Sequence, residues 1–568
     1  MFKGTAASPG IAIGKALVYK DVDLNIDKLN ILEVENENKK LHDAIEKTKI
    51  QLRAIKEEAT KKLGAEQAQI FEAHLMVLED PELLSQIKDK VNNEKINVEY
   101  ATKDVIDNFV LLFESMDDEY MRERAADIKD VGIRILKNLL GIEIVNLALL
   151  SDEIILVAHD LTPSDTATMN RDKVLGFVTD IGGRTSHTAI MARSLEVPAV
   201  VGLKNITSTI NDGDTIVFDG EEGVVHVNPT ENVLSLFQQK KKDYEITRRD
   251  LEALKGMPTV SKDGRVVELA ANIGTPKDIK GVIENSGEGI GLYRTEFLYM
   301  NRNSMPTEEE QFQAYKEVLE GMEGKPVIIR TLDIGGDKEL PYLNLPKEMN
   351  PFLGYRAIRI CLDQTEVFKV QLRALLRASV YGNLKIMYPM ISSVEEVRDA
   401  NRILEEVKND LDREYISYSK SIEVGIMVEI PAAAVIGDLL IKEVDFFSIG
   451  TNDLIQYTKA VDRMNEKISY LYDPFNPAIL RMIKMIIDYA HEGGKWVGMC
   501  GEMAGDKNLI PILLGLGLDE FSMSAVSILP ARKIISEISY SDMKKIAEVT
   551  LTLPTSEEIK EYIKDQLK

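Results

Sequence analysis

The chain has 568 residues, 44% of them hydrophobic, and a formal net charge of −24; this length predicts about three to five domains. The acidic balance disfavours nucleic-acid partners, because a negative surface repels phosphate backbones, and no apolar run reaches the roughly eighteen residues of a membrane span. The two cysteines, Cys361 and Cys500, exclude a disulfide framework and suit a reducing compartment, so we expect a cytoplasmic protein.

The predicted elements change in character along the chain. The first residues have the pattern of strands and turns, whereas residues 29–140 follow the helical period, with Pro81 expected to end or kink a helix. Strand patterns return after this segment, at residues 153–157, 174–179, 215–218 and 224–227. The sequence therefore predicts a helical bundle inserted into an α/β domain, provided that the first strand joins the later strands in one sheet.

The second half of the chain alternates between strands and helices. Residues 231–254 predict a charged linker helix, and the Gly256-Met257-Pro258 sequence follows it as a break. Eight strands are then predicted at residues 266–271, 289–293, 327–331, 384–387, 424–428, 446–449, 496–499 and 521–523. This alternation over about 310 residues is typical of a (β/α)8 barrel of the TIM type.

These patterns predict four structural parts. They are a discontinuous α/β domain at residues 1–25 and 145–229, a helical domain at residues 26–144, a linker helix at residues 230–258 and a barrel domain at residues 259–568.

Polar side chains follow the C-terminal ends of the predicted barrel strands, where barrel enzymes carry their catalytic residues. They are Arg294, Arg330, Glu429, Asn452, Asp453, Arg463 and Cys500. Arginine binds phosphate and carboxylate oxygens in a forked geometry, two carboxylates suit Mg²⁺, and a thiol can deliver a proton. The set therefore predicts a site for a small phosphorylated acid together with a divalent metal.

A second chemical centre lies between the strand at 174–179 and a helix predicted at 189–195, in the sequence Gly182-Gly183-Arg184-Thr185-Ser186-His187-Thr188. Glycines allow close approach to a phosphate, and a helix start offers free N–H groups and a positive dipole end. Either Ser186 or Thr185 is a candidate cap for this helix. The pattern predicts that His187 is a nucleophile beside an anion-binding loop, with the charge of Arg184 close by.

Five segments together carry a resemblance to a known family. They are residues 182–193, 292–296, 330–338, 445–454 and 498–504. They resemble Enzyme I of the phosphoenolpyruvate:sugar phosphotransferase system, and the resemblance runs from Ala6 to near the end of the chain.

The resemblance implies a swivelling phosphohistidine domain, a helical insertion that docks the histidine-containing phosphocarrier protein, and a barrel that binds phosphoenolpyruvate and forms a homodimer. It assigns the roles as follows. His187 is the phosphoryl acceptor, and Cys500 is the proton donor. Glu429 and Asp453 are the Mg²⁺ ligands. The substrate is bound by Arg294, Arg330, Arg463, Asn452 and Asp453, and the supporting residues are Thr166, Arg184 and Arg356.

The phosphohistidine domain has to swing between donor and acceptor, and the linker helix with the break at residues 256–258 is its expected hinge. An acidic surface is expected to attract a basic carrier. Its residues are Glu66, Glu72, Glu79, Asp80 and Glu82. A solvated helix face explains the same charges equally well.

Two other functions remain open from the sequence. A pyruvate-phosphate dikinase or phosphoenolpyruvate synthase shares the histidine domain and the barrel, but it needs a nucleotide-binding domain, and the helical segment has no glycine-rich nucleotide loop. A regulatory scaffold would bind the same molecules without turnover. The full set of chemical residues argues against this function.

Overall fold

The computed structural model describes residues 1–19, 26–63, 69–114, 119–142, 147, 150, 152–161, 169–170, 172–183, 186–195, 197–300, 302–336, 340–343, 348–463, 465 and 467–567. Within them the chain forms two compact units, Met1–Arg248 and Arg249–Lys568. Thr166, Arg184 and Glu66, which were assigned roles from the sequence, lie outside the described residues. Among the helices that the structure describes, none is both long and apolar enough to cross a membrane.

The first unit is built on a single mixed sheet. Its strands are β1 (Phe2–Lys3), β2 (Thr5–Ser8), β3 (Ile11–Tyr19), β4 (Ile154–Ala158), β5 (Val174–Thr179), β6 (Ala199–Val201), β7 (Thr215–Asp219) and β8 (Val224–Val227). Their order is β1-β8-β7-β3-β4-β5-β6-β2. Strands β3 to β6 pair in parallel, and the outer strands pair antiparallel.

Strand β3 pairs in parallel with β4, from Lys15 opposite Ile154 to Tyr19 opposite Ala158. The first strands and the strands that follow the helical segment therefore belong to one sheet, which confirms the predicted insertion. Successive residues of β4 pack into two different apolar clusters, as expected for a parallel strand covered on both faces.

The inserted segment is a bundle of helices. They are α1 (Val34–Leu63), α2 (Gln69–Leu78), α3 (Pro81–Glu94), α4 (Val98–Glu114) and α5 (Glu119–Leu139). The expected break at Pro81 is confirmed, since α2 ends at Leu78 and Pro81 is the first residue of α3. Asp80 caps α3 by accepting the N–H groups of Glu82 at 2.8 Å and Leu83 at 3.3 Å, which supplies partners that a helix start otherwise lacks.

A single helix, Glu231–Ala253, follows the sheet where the linker helix was predicted. Its thin apolar stripe buries Phe237, and Lys240 forms a 3.0 Å ion pair with Asp219 of β7. The boundary between the two compact units falls inside this helix, at Arg248.

The second unit is a closed barrel of parallel strands, which confirms the predicted (β/α)8 class. The strands are β9 (Glu268–Ile273), β10 (Gly289–Arg294), β11 (Pro326–Arg330), β12 (Asn383–Tyr388), β13 (Glu423–Val428), β14 (Phe446–Ile449), β15 (Trp496–Met499) and β16 (Glu520–Met523). Strand β16 pairs with β9 and closes the barrel.

The main departure from the predicted strands is at β9, which begins at Glu268 and not at Val266. Val266 instead forms an isolated antiparallel bridge with Val260, and its side chain is exposed. The apolar pattern of this segment therefore belongs partly to a turn before the strand, which the alternation of residues alone does not separate from the strand itself.

Helices surround the barrel. They are Ile279–Glu284, Glu308–Gly321, Ile358–Asp363, Thr365–Ala378, Val394–Arg413, Pro431–Val435, Gly437–Leu440, Thr451–Lys459, Pro477–Glu492, Ile510–Leu516, Ile528–Ser536, Tyr540–Thr550 and Ser556–Gln566. Capping boxes at Thr307 and Ser393 define two helix starts.

At the N-terminal end of the barrel, Phe446 stacks on Trp496 with ring centroids 4.5 Å apart, and Lys385 lies over the Trp496 ring. Aromatic and paired side chains therefore pack together at this end of the barrel. The opposite end, where the strands terminate, is the one that carries the polar residues predicted from the sequence.

Candidate active site

The predicted barrel residues meet at the C-terminal ends of the strands. Arg294 and Arg330 are the last residues of β10 and β11, Glu429 directly follows β13, and Cys500 directly follows β15. A cavity of about 400 Å³ lies between them. Of the residues assigned from the sequence, it is lined by Arg294, Arg330, Arg356, Glu429, Asn452, Asp453, Arg463 and Cys500.

Two buried arginines of the cavity are held by one aspartate. The Nη2 atom of Arg330 lies 2.7 Å from Glu296 Oε1 and 2.9 Å from Asp333 Oδ2. Arg356 Nη2 donates to Asp333 Oδ1 at 2.7 Å, and its Nη1 donates to the Tyr457 hydroxyl at 3.1 Å. These contacts fix both guanidinium planes before any ligand arrives, which is the preorganisation that anion recognition requires.

The charge of these arginines is retained despite their burial. Burial lowers the pKa of Arg330, but Asp333 and Glu296 raise it by more, so its pKa is raised overall. Asp333 and Glu296 were not assigned roles from the sequence. Both lie in segments that carry the family resemblance. Their position close in sequence to the arginines at the strand ends is the feature that could have identified them as site residues.

Glu429 and Asp453 are two of the five carboxyl groups that line the same cavity. Glu429 is buried, and its Oε1 accepts the N–H of Met390 at 2.6 Å. Burial, with the nearby charges of Asp453 and Asp333, raises the pKa of Glu429 to about 8. Burial also raises the pKa of Asp453, against the opposing effect of Arg356. Two carboxyl groups that disfavour each other's charge form a site that a cation would stabilise.

Asn452 is held at the start of the helix Thr451–Lys459. Its Nδ2 donates to Glu502 Oε1 at 3.3 Å, and its Oδ1 accepts the N–H of Glu502 at 3.3 Å. The Tyr472 hydroxyl donates to the same Oδ1 at 3.4 Å. The reciprocal pair with Glu502 fixes the side-chain amide at the cavity wall. The side chain of Arg294, which also lines the cavity, is exposed.

Cys500 lies at the bottom of the cavity with only 6% of its surface exposed. Burial raises the pKa of its thiol to about 12, so the thiol stays protonated at neutral pH. Its Sγ lies 3.9 Å from the carbonyl oxygen of Ile449, at the end of β14. A protonated and largely dry thiol is suited to act as an acid and unsuited to act as a nucleophile.

The predicted phosphoryl acceptor, His187, is the first residue of the helix His187–Leu195 and belongs to the first compact unit. Ser186 caps this helix, because its Oγ accepts the N–H of Ala189 at 3.3 Å and donates to the carbonyl of Gly183 at 2.8 Å. Gly182 has φ +113°, a conformation that favours glycine. Thr185, the other candidate cap, lies outside the described residues.

The first turn of this helix is tied to the loop after β4. The Thr188 hydroxyl, which is buried, lies 3.0 Å from Asp160 Oδ1 and 3.1 Å from the carbonyl of Leu161. The start of the helix His187–Leu195 is therefore fixed to the loop that follows β4. His187 and the barrel cavity lie in different compact units of the chain.

Comparison with known proteins identifies the family. The chain matches the family described as "PEP-utilising enzyme, PEP-binding domain" over residues 248–540, its "N-terminal" counterpart over residues 3–124 and its "mobile domain" over residues 150–223.

Several relatives match along the whole chain. A phosphoenolpyruvate-protein phosphotransferase of Priestia megaterium is 59% identical over 562 residues, which cover 99% of this chain and 98% of the relative. The protein of the same name from Bacillus subtilis (strain 168) is 59% identical, and the match covers 100% of this chain and 99% of the relative. The one from Staphylococcus carnosus (strain TM300) is 57% identical, with the same two coverages. The chain therefore belongs to the PEP-utilising enzymes and, within them, to the phosphoenolpyruvate-protein phosphotransferase family.

Proposed function

We propose that this enzyme transfers the phosphoryl group of phosphoenolpyruvate to its own His187 and then to the histidine-containing phosphocarrier protein, releasing pyruvate, as the first step of the sugar phosphotransferase system. The observation that carries the proposal is the barrel cavity, where four arginines, five carboxyl groups, two amides and a thiol converge. Similarity along the whole chain to proteins named for this reaction supports it.

Phosphoenolpyruvate is bound by the cationic side of the cavity. Arg294, Arg330 and Arg463 pair with its phosphate and carboxylate oxygens, and Asn452, with Asp453 beside it, completes the substrate site. Arg356 has a supporting role, since the hydrogen bonds of its Nη2 and Nη1 go to Asp333 and Tyr457. Forked, charge-assisted hydrogen bonds of this kind give geometric specificity as well as affinity.

Glu429 and Asp453 are the residues that would hold Mg²⁺. Their chemistry fits a hard divalent ion, since both supply carboxyl oxygens and a bound cation would offset the burial that raises the pKa of both groups. Within the described part of the chain, no three His, Cys, Asp or Glu side chains are grouped to hold a metal, so substrate oxygens and water have to complete the shell, as is usual for Mg²⁺. The bound ion would offset negative charge on the transferring phosphoryl group.

The protein groups then perform the transfer in two steps. A neutral imidazole of His187 attacks phosphorus, forming an N–P bond while the P–O bond to the enolate of pyruvate breaks. The Cys500 thiol gives its proton to the enolate carbon, a C–H bond forms, and the thiolate regains a proton from water. Protonation on carbon makes the step strongly downhill, because the enol form of pyruvate is much less stable than the keto form.

The transfer requires His187 to reach the barrel cavity and afterwards the carrier. We infer that the helix Glu231–Ala253 and the break at residues 256–258 act as the hinge of this swivelling movement. Thr166 and Arg184 are assigned to support His187 in its loop, Arg184 by its fixed positive charge beside the phosphohistidine.

The carrier docks on the helical bundle. An apolar cavity of about 280 Å³ opens there, lined by Met76, Val77, Leu83, Phe109, Phe113 and Ile128, with Asp80 and Arg124 at its polar side. The exposed carboxylates Glu79 and Glu82 lie close in sequence to Asp80 of this lining. An apolar centre with a charged rim is the usual composition of a specific protein interface. Of the predicted acidic residues, Glu72 and Glu79 are already paired with Lys56 and Lys49.

Reversing the charges of Glu79 and Glu82 to lysine is expected to slow carrier phosphorylation about 10-fold or more at low salt, because the rim charges steer a basic partner. Loading of His187 from phosphoenolpyruvate should stay within about twofold, since it does not use this surface. Stopped-flow or quench-flow measurement of the two half-reactions separates them.

The matched control is Glu94→Lys, since Glu94 lies in the last turn of α3, at the opposite end from Glu82, and is also exposed. The control should leave both half-reactions unchanged. Equal slowing of both half-reactions by the Glu79 and Glu82 variants would contradict the assigned docking surface.

We also infer a cytoplasmic homodimer that forms through the barrel unit. Several large apolar side chains of that unit are well exposed. They are Met349, Leu353, Tyr470 and Val526. Exposed apolar side chains are what a subunit interface covers. Both cysteines are free and buried, which suits a reducing compartment.

The stoichiometry of pyruvate release tests the proposed function. Without a carrier, the enzyme should release one pyruvate per active chain and then stop, because His187 is its only internal acceptor in the proposed reaction. Adding the carrier should turn this burst into steady turnover. Continued pyruvate release without any carrier would mean that water or another small acceptor takes the phosphoryl group, and the proposal would be wrong.

A further inference from the structure

The side chain of Asn272 connects three strand ends at the cavity. Asn272 belongs to β9 and lines the cavity beside Cys500. Its Nδ2 donates to the carbonyl oxygen of Cys500 at 3.0 Å and to that of Ser522 at 3.4 Å. The Ser522 hydroxyl donates back to Asn272 Oδ1 at 2.7 Å. Because β16 lies between β9 and β15, the Asn272 amide reaches across β16 to hold the end of β15.

The same peptide segment is held from its other sides. The N–H of Cys500 donates to the carbonyl of Ile449 at 3.2 Å. Gly501 packs so closely on the helix Thr451–Lys459 that an added Cβ would lie 1.8 Å from Thr451 Oγ1. The Cys500 Sγ has a 3.9 Å contact with the Ile449 carbonyl, and the side chain of Ser448 also interacts with the thiol. The position of the thiol depends as well on the backbone that carries it, and Asn272 holds the carbonyl of that backbone.

We propose that Asn272 is a positioning residue that directs the Cys500 thiol at the enolate carbon. The inference rests on the proposed function and adds a residue to it. In the step concerned, the S–H bond of Cys500 breaks, the electron pair of the enolate forms the new C–H bond, and water returns a proton to the thiolate. Both polar atoms of the Asn272 amide are engaged with Cys500 and Ser522, so Asn272 acts on the donor and not on the substrate.

Removing this brace should affect the rate of protonation more than the binding of phosphoenolpyruvate. A reacting group displaced by about 1 Å can lose about 100-fold in rate. We expect Asn272→Ala to lower kcat for pyruvate formation, measured with carrier in excess, by about 10-fold to 100-fold, with KM for phosphoenolpyruvate changed less than about threefold. Asn272→Asp keeps the size of the side chain but removes the hydrogen-bond donor. It should show the same loss in kcat, again with little change in KM.

Asn401→Ala is the matched control, because Asn401 Nδ2 also donates to a backbone carbonyl, that of Glu443 at 3.2 Å, outside the cavity. It should stay within about twofold of the unmodified enzyme in kcat. Thermal unfolding of each variant shows whether its fold is retained, and phosphoryl loading of His187 from the phosphorylated carrier shows whether the histidine domain is intact.

A double-mutant cycle tests whether Asn272 acts through Cys500. In the Cys500→Ala background the thiol is absent, so adding Asn272→Ala should cost less than about twofold in single-turnover pyruvate formation. An equal loss in both backgrounds, an unchanged kcat in Asn272→Ala, or a loss confined to KM would each overturn the inference. Absence of pyruvate formation by the unmodified protein would instead overturn the proposed function, and this inference with it.

Discussion

Replacing Cys500 with alanine is expected to lower the rate of pyruvate formation from phosphoenolpyruvate by about 100-fold to 10,000-fold, the range typical of a lost general acid. The variant lacks the group that protonates the enolate, and the buried site offers little water in its place. Transfer of the phosphoryl group between His187 and the carrier should be unchanged, because no enolate takes part in it. Quench-flow measurement of both half-reactions gives the two rates.

The thiol also predicts a pH dependence. Burial raises the pKa of Cys500 to about 12. Because the thiol can act as an acid only while it is protonated, this raised pKa extends the pH range of its activity to higher pH. Pyruvate formation should therefore show no loss from thiol deprotonation between about pH 8 and pH 10, where an ordinary thiol with a pKa near 8.5 ionises.

Cys361→Ala is the matched control, since Cys361 is fully buried in the helix Ile358–Asp363 and does not line the cavity. It should keep its rate of pyruvate formation within about threefold. The assignment of the proton donor would be wrong if Cys500→Ala kept more than about a third of the rate, or if exchange with the carrier fell to the same extent.

Arg330→Lys is expected to lower kcat/KM for phosphoenolpyruvate by about 100-fold to 1,000-fold, or about 3–4 kcal/mol of transition-state stabilisation. Lysine keeps the charge but not the planar fork. In the native site one nitrogen of Arg330 already serves both Glu296 and Asp333. Of the other two nitrogens, Nη1 has a 3.7 Å contact with Met427 Sδ and Nε has no hydrogen-bond partner among the described residues, so N–H groups are left for the substrate. A lysine ammonium cannot hold both carboxylates and also present a second nitrogen to the phosphate.

The control for charge and for pairing with two carboxylates is Arg373→Lys. Arg373 also binds two carboxylates, Glu308 at 2.9 Å and Glu414 at 2.7 Å, but it lies on the helix Thr365–Ala378 outside the cavity. Steady-state kinetics should show Arg373→Lys within about twofold of the unmodified enzyme. A loss below about threefold for Arg330→Lys, or an equal loss for both variants, would contradict the role of the Arg330 fork.

The barrel could be predicted because its strands are short apolar runs at regular intervals, and each polar site residue stands directly after one of them. The same rule brought Arg294, Arg330, Glu429 and Cys500 to one rim without any knowledge of pairing, since parallel strands end at the same edge. The insertion of the bundle needed one further fact, that β3 pairs with β4, which strand patterns alone do not contain.

The connections within the site could not be predicted in this way. That Asp333 joins Arg330 to Arg356 depends on how the loops after β11 fold back over the barrel. That Asn272 reaches Cys500 depends on closure of the barrel between β16 and β9. A lone asparagine at a strand end resembles any other polar residue until the strands beside it are known.

His187 is expected to accept the phosphoryl group of phosphoenolpyruvate directly. The measurement that tests it is incubation with phosphoryl-labelled phosphoenolpyruvate and Mg²⁺, without nucleotide, followed by peptide mapping. We expect an acid-labile label on His187 that is absent from His187→Ala and passes to the phosphocarrier protein. A label that appears only when ATP is added would indicate a dikinase or synthase, and no label under either condition would indicate a scaffold; both results would contradict the account.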